Sequence, residues 1–149
     1  MRKVVVLVFA VLSYTLNAQK IDYNTSKGVA IDGFDVVAYF SNKATEGNSK
    51  YVAKHDGVNY KFSSQHNLET FKTNPTKYIP QYGGYCAYAL GAKGKKVDVD
   101  PETFEIRDGK LFLFYNSWGS NALESWLEES PNILKAKADK HWEKLKFDN

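Results

Sequence analysis

Tyr51-Val52-Ala53-Lys54-His55-Asp56-Gly57-Val58-Asn59-Tyr60-Lys61-Phe62 is the stretch that decides the fold class of this chain. Two runs of alternating side chains flank an Asp-Gly pair, and those two residue types tolerate the positive φ angles that a tight hairpin turn demands. The same grammar returns downstream. Thr103-Phe104-Glu105-Ile106-Arg107 meets Asp108-Gly109, and Lys110-Leu111-Phe112-Leu113-Phe114-Tyr115 comes back as an almost unbroken apolar strand. Such a strand is expected to lie centrally. Together the hairpins predict one small antiparallel sheet.

The flanking segments read as short helices. Between the hairpins, Ser63 or Ser64 can cap a helix running to about Thr73, with Leu68 and Phe71 on its inward face and Asn74-Pro75 ending it. Upstream, Val29-Ala30-Ile31-Asp32-Gly33 is a brief extended piece entering a turn, and Asp35 can cap a short helix over Val36 to Phe40. Towards the C-terminus, Ala122, Leu123, Trp126 and Leu127 repeat at helical spacing, and Ser130-Pro131 closes that helix while opening another. Leu134, Ala138, Trp142 and Leu145 form the stripe of this last helix. The expected class is α+β: a small antiparallel sheet built from two Asp-Gly hairpins, covered by several short helices, with a C-terminal amphipathic helix.

The first 18 residues read differently from the rest. Arg2 and Lys3 precede an apolar run from Val4 to Leu12, and a polar stretch ends in Leu16-Asn17-Ala18-Gln19, the order of a secretory signal cut after Ala18. The apolar run is about half of the roughly 20 residues a spanning helix needs. Residues 1–18 are therefore expected to be a signal peptide and 19–149 a single domain, exported to a periplasmic or extracellular space without a stable membrane anchor. Cleavage removes two of 20 basic residues and none of 17 acidic ones, lowering the formal charge from +3 to +1. Because the remaining lysines are interleaved with acids along the chain, charge points to no nucleic acid and to no other partner.

One cysteine, Cys86, stands in a chain that carries an export signal. It cannot form an intrachain disulfide, so it is a packed thiol, an intermolecular link or a working thiolate. Gly83-Gly84 allows a sharp turn or a close backbone approach just before it. A helix starting there would aim amides at the sulfur and favour the thiolate. Tyr82, Tyr85 and Tyr88, with Gly83 and Gly84, can line a pocket around Cys86 for an aromatic ligand or cofactor such as haem, although core packing explains the tyrosines equally well. His66 falls on the outward face of its helix, His55 at a hairpin rim and His141 at an edge of the core, so none reads first as a ligand. Lys93, Lys95 and Lys96 around Gly94 read as a solvated turn. No Ser-His-Asp set, zinc-protease helix or dinucleotide fingerprint is present, which gives hydrolase and dehydrogenase chemistry no footing.

The segment from Phe62 to Tyr78, with its aromatic residues, helix cap at Ser64, inward Phe71 and Asn74-Pro75-Thr76-Lys77-Tyr78 exit, resembles the signature of YHS domains. Asp35-Val36-Val37-Ala38-Tyr39-Phe40 is similar to that family's Asp-Pro-Val-Ala-Tyr-Phe, departing at Val36. Gln81 to Ala87, and Asp100-Pro101 through Gly109, resemble an exported subfamily that carries cysteine, or in some members selenocysteine, at the position of Cys86. The resemblance implies that Asp35, Tyr39, Phe62, Ser64, Phe71, Pro75, Tyr78, Asp100, Pro101 and Gly109 are structural. It also implies metal handling through cysteines in transporter-linked members, but the matching positions here are Ser63 and Asn67, which offer a soft metal no thiolate. The functional expectation is a non-enzymatic module binding a small ligand, or a soft transition metal such as copper, around Cys86. The alternatives are a thiol redox protein, a haem or aromatic-cofactor binder, and a structural domain without chemistry.

Overall fold

The computed structural model describes residues 19–148, so the expected signal peptide lies outside the described residues. Its class is α+β. The first sheet has strands β1 (Thr25–Ser26), β2 (Val29–Ala30), β3 (Asn48–His55) and β4 (Val58–Phe62), in the order β1-β2-β4-β3. Strands β3 and β4 form the hairpin at Asp56-Gly57, where both residues take positive φ angles, 49° and 79°. The fold then brings helices α1 (Gln65–Thr73), α2 (Pro75–Tyr78) and α3 (Ala87–Lys93). Strands β5 (Asp100–Arg107) and β6 (Lys110–Phe114) form the second Asp-Gly hairpin, and two-residue strands β7 (Asn116–Ser117) and β8 (Ser120–Asn121) form a third. Helices α4 (Ala122–Glu128) and α5 (Pro131–Leu145) complete the chain.

Both Asp-Gly hairpins form, but they do not share a sheet. The free edge of β4 is taken by β2, which pairs with it in parallel through Val29 and Asn59, so β6 has no hydrogen-bonding edge to join there. β6 pairs only with β5 and so is not the central strand expected; its apolar run is explained instead by the two hydrophobic cores it stands between. Leu111 and Leu113 enter a core with Tyr39, Tyr60, Phe62 and Phe71. Phe112 and Phe114 point the other way, to Trp126, Leu90, Leu134 and Ala138. Pro101 sits where the β5–β6 register shifts between Asp100 and Phe104, an irregularity that tolerates a residue without an amide proton.

Helix α1 starts where Ser64 Oγ accepts the Asn67 N–H at 3.1 Å, and it buries Leu68 and Phe71 while His66 stays exposed. The helix expected over Val36 to Phe40 is a tighter 3-10 turn at Ala38–Ser41. The N-cap position of that turn is Val37 and not Asp35; Asp35 holds the chain just before it, accepting the N–H groups of Val37 at 2.9 Å and Ala38 at 3.3 Å. In α5, Leu134 and Ala138 are buried and Trp142 and Leu145 pack on the second core, as the stripe predicts. Pro131 starts that helix at a position where no amide proton is needed.

Candidate functional site

The turn Gln81–Gly84 explains the glycines before Cys86. Tyr82, Gly83 and Gly84 all have positive φ, at 56°, 62° and 86°. A Cβ on Gly83 would stand 2.8 Å from both the Asp22 carbonyl oxygen and the Trp142 ring, and the Gly83 carbonyl accepts the Asn24 N–H at 2.9 Å. The close approach read from Gly83-Gly84 is therefore that of the N-terminal segment and of α5.

Cys86 follows at the N-cap of α3, a helix beginning where the glycine pair suggested one. Its N–H donates to the Val97 carbonyl at 2.9 Å, and its Sγ accepts the Tyr115 N–H at 3.3 Å. The residue exposes none of its surface. Burial pushes its thiol up from the usual range, outweighing the amides of Tyr115, Ala89 and Tyr88 and the charge of Lys93, which all favour the thiolate. An accessible, partly ionised sulfur is thus not what the fold builds. The helix amides lie where expected, but desolvation is the larger effect.

Cys86 nevertheless borders a cavity of about 180 Å³. The buried Ala89 and Ala122 and the half-buried Val97 form its apolar wall, and Tyr115, Ser120, Ser125 and Lys93 place hydroxyls and an amine around it. Tyr88 also lines it, with its hydroxyl donating to Glu129 at 2.8 Å. Tyr115, Ser120, Ala122 and Ser125 are not legible as site residues in the sequence, because nothing local marks a residue brought in by a hairpin and helix some 30 positions away.

The other expected pocket residues go elsewhere. Tyr82 and Gly83 line a separate open groove of about 430 Å³ beside α5, where the Tyr82 hydroxyl donates to Asp139 at 2.8 Å. Gly84 and Tyr85 line neither space. The Tyr85 hydroxyl donates to Asp22, and Lys96, 2.8 Å from the same carboxylate, lies over the Tyr85 and Trp142 rings. Lys96 is therefore a half-buried tie and not part of a solvated turn, whereas Lys93 and Lys95 are exposed.

The residues matched to the YHS signature have structural employment. Asp35 exposes nothing, and its Oδ2 accepts the Ser63 N–H, the Ser63 hydroxyl and the Asn67 side-chain amide at 2.8, 2.7 and 2.7 Å. The two positions that lack cysteines thus converge on one buried carboxylate. Tyr39 donates to the Pro101 carbonyl at 2.7 Å, Phe62 and Phe71 stack in the first core, and Tyr78 packs edge-on against Phe40. Pro75 opens α2, Asp100 accepts from Thr103, and Gly109 makes the second turn at φ 70°.

The histidines are dispersed. His55 meets the Phe71 ring edge-on, His66 is exposed, and His141 Nδ1 donates to the Leu90 carbonyl at 2.6 Å. Among the described residues no group of three or more His, Cys, Asp or Glu side chains is placed to hold a metal ion. No family model, curated protein or solved structure matches this chain.

Proposed function

We propose that this protein is an exported, non-enzymatic binding module of the YHS type that holds a small organic ligand in the cavity beside Cys86. The family reading rests on the ordered motifs from Asp35 to Gly109, and the exported location on the character of residues 1–18. One observation carries the functional reading: the 180 Å³ cavity combines an apolar wall with hydroxyl and amine groups able to orient a guest. That volume is below the roughly 300–1,000 Å³ of sites for drug-sized ligands. The guest is accordingly a compact molecule and not a haem. A soft metal such as copper is disfavoured at Cys86, which has no cluster of partner ligands among the described residues. Thiol redox chemistry is disfavoured by a buried, protonated sulfur with no second cysteine in the chain.

Phenol serves as a probe of suitable size and polarity. Added to the isotope-labelled chain from Gln19 onward, it is expected to shift the amide resonances of Ala89, Val97, Tyr115 and Ala122, and Ala122→Phe, which fills the cavity, should abolish those shifts. Shifts confined to other residues, or unchanged in a folded Ala122→Phe variant, would overturn the assignment.

A further inference from the structure

Five lysines that lie far apart in the sequence share one face of the fold. Helix α3 packs so tightly on α5 that a Cβ on Gly91 would stand 2.6 Å from the Leu134 carbonyl oxygen, and a Cβ on Gly94 would touch the His141 ring at 3.4 Å. The C-terminal end of α3, with Lys93 on its last turn and Lys95 just beyond its Gly94 cap, therefore rests against α5 at His141. At about 100° per residue, Lys137, Lys140 and Lys144 fall in a sector of about 60° on the His141 side of the buried stripe. Ile133, 58% exposed, lies in the same sector.

Lys93, Lys95, Lys137, Lys140 and Lys144 are exposed, and among the described residues none of them is ion-paired. The acidic groups of α5, Asp139 and Glu143, lie outside the sector and are paired with Lys135 and Lys146. Glu129, at the start of the α4–α5 junction, accepts the Tyr88 hydroxyl. Lys93 also borders the same cavity as Ser120, so the β7–β8 hairpin stands beside this basic corner. Its tip is Trp118, 97% exposed.

We propose that this face docks reversibly on an anionic phospholipid surface. Lysines are compact point charges that suit headgroup phosphates without bidentate geometry. An indole free at a hairpin tip and an exposed isoleucine supply the apolar contacts that a bilayer interface accepts. Nucleic-acid grooves instead combine the charges with stacked aromatics along a track, and no aromatic side chain is interleaved with Lys137, Lys140 and Lys144 on that sector. With a formal charge of only +1 for residues 19–149, the attraction must come from this local array and not from the whole molecule.

The test uses the chain from Gln19, which contains every residue of both cores, sedimented with equimolar phosphatidylglycerol–phosphatidylcholine vesicles and with pure phosphatidylcholine vesicles. Binding to the first alone is expected at about 0.05 M salt, with release at about 0.5 M. Each lysine near such a surface contributes about fivefold, so Lys137→Gln/Lys140→Gln/Lys144→Gln should weaken binding by roughly a hundredfold. Lys43→Gln/Lys50→Gln/Lys54→Gln removes the same charge from the first sheet and its neighbouring loop and should change it by less than about threefold. Trp118→Ala should weaken it severalfold. Should the helix variant melt, Lys93→Gln/Lys95→Gln tests the same face from another element. Equal losses in the two triple variants, equal binding to neutral vesicles, or binding to duplex DNA without vesicle binding would each overturn the proposal.

Discussion

The buried Cys86 thiol should resist alkylation for as long as the protein stays folded. Its sulfur exposes no surface and accepts the Tyr115 N–H, and burial raises its pKa. Iodoacetamide should therefore reach it only through opening of the second core. If that opening approaches global unfolding, a domain stability of roughly 5–10 kcal/mol slows alkylation by about 5 × 10³- to 2 × 10⁷-fold relative to the unfolded chain. The pH dependence has a definite sign. A thiol whose folded pKa is raised keeps its proton longer in the native state than in the unfolded one, so its contribution to stability is full below the unfolded value of about 8.5. It is lost as pH rises from there through the folded pKa, at up to about 1.4 kcal/mol per pH unit. Urea melts at neutral pH and above pH 9, compared between wild type and Cys86→Ala, isolate this component from the tyrosines whose pKa values are also raised. The alanine variant should itself cost about 1–2 kcal/mol at neutral pH, because it strips the part-buried Tyr115 amide of its acceptor. Cys86→Ser restores an acceptor and should recover part of that loss. Rapid alkylation of the folded protein with a midpoint below pH 8.5, or an alkaline slope unchanged by Cys86→Ala, would refute the assignment of a desolvated thiol.

Two further substitutions test how the fold is held. Asp35→Asn replaces one acceptor oxygen by a donor in a site where five donor contacts converge on the carboxylate, and neither amide orientation satisfies both sides. A loss of about 2–4 kcal/mol in urea melts is expected, with the exposed Asp32→Asn close to wild type; similar behaviour of the two would show that the carboxylate does not organise this corner. Gly83→Ala must place a Cβ against the Asp22 backbone and Trp142 at φ 62°, whereas Gly109→Ala has φ 70° with nothing within 4 Å. The first should cost about 2–4 kcal/mol and the second about 1, so equal thermal shifts would contradict the tight crossing of the N-terminal segment.

The parts of the fold that were legible in the sequence are those governed by local rules. Asp-Gly between alternating runs specifies a hairpin by turn sterics alone, Ser64 specifies a helix start by capping, and the Leu134-Ala138-Trp142-Leu145 stripe specifies a buried helix face. Whether two hairpins join one sheet is not a local matter. It depended on β2, a two-residue strand, reaching the β4 edge first, and so short a strand carries almost no periodic signal. The β7–β8 hairpin carries no local signal for a related reason: its turn is Trp118-Gly119, and tryptophan at φ 53° is not a residue that turn chemistry would suggest.

The candidate site divides along the same line. Cys86 and Tyr88 are close in the chain and meet at one cavity, but Tyr82 and Gly83, only a few residues earlier, face a different groove. Three consecutive positive φ angles at Tyr82, Gly83 and Gly84 reverse the chain between them, so sequence proximity to the cysteine stopped predicting spatial proximity at that turn. Conversely, Lys93 and Lys95 are more than 40 positions from Lys137, yet the Gly91 contact with Leu134 seats their helix against α5. A residue as small as glycine at position 91 is what permits that approach. Gly91→Leu would force α3 away from α5, and it would separate Lys93 and Lys95 from the α5 lysines while disturbing the helix that Cys86 caps. The basic face is thus a consequence of one packing contact between α3 and α5, which is why it could not be read from the lysines alone.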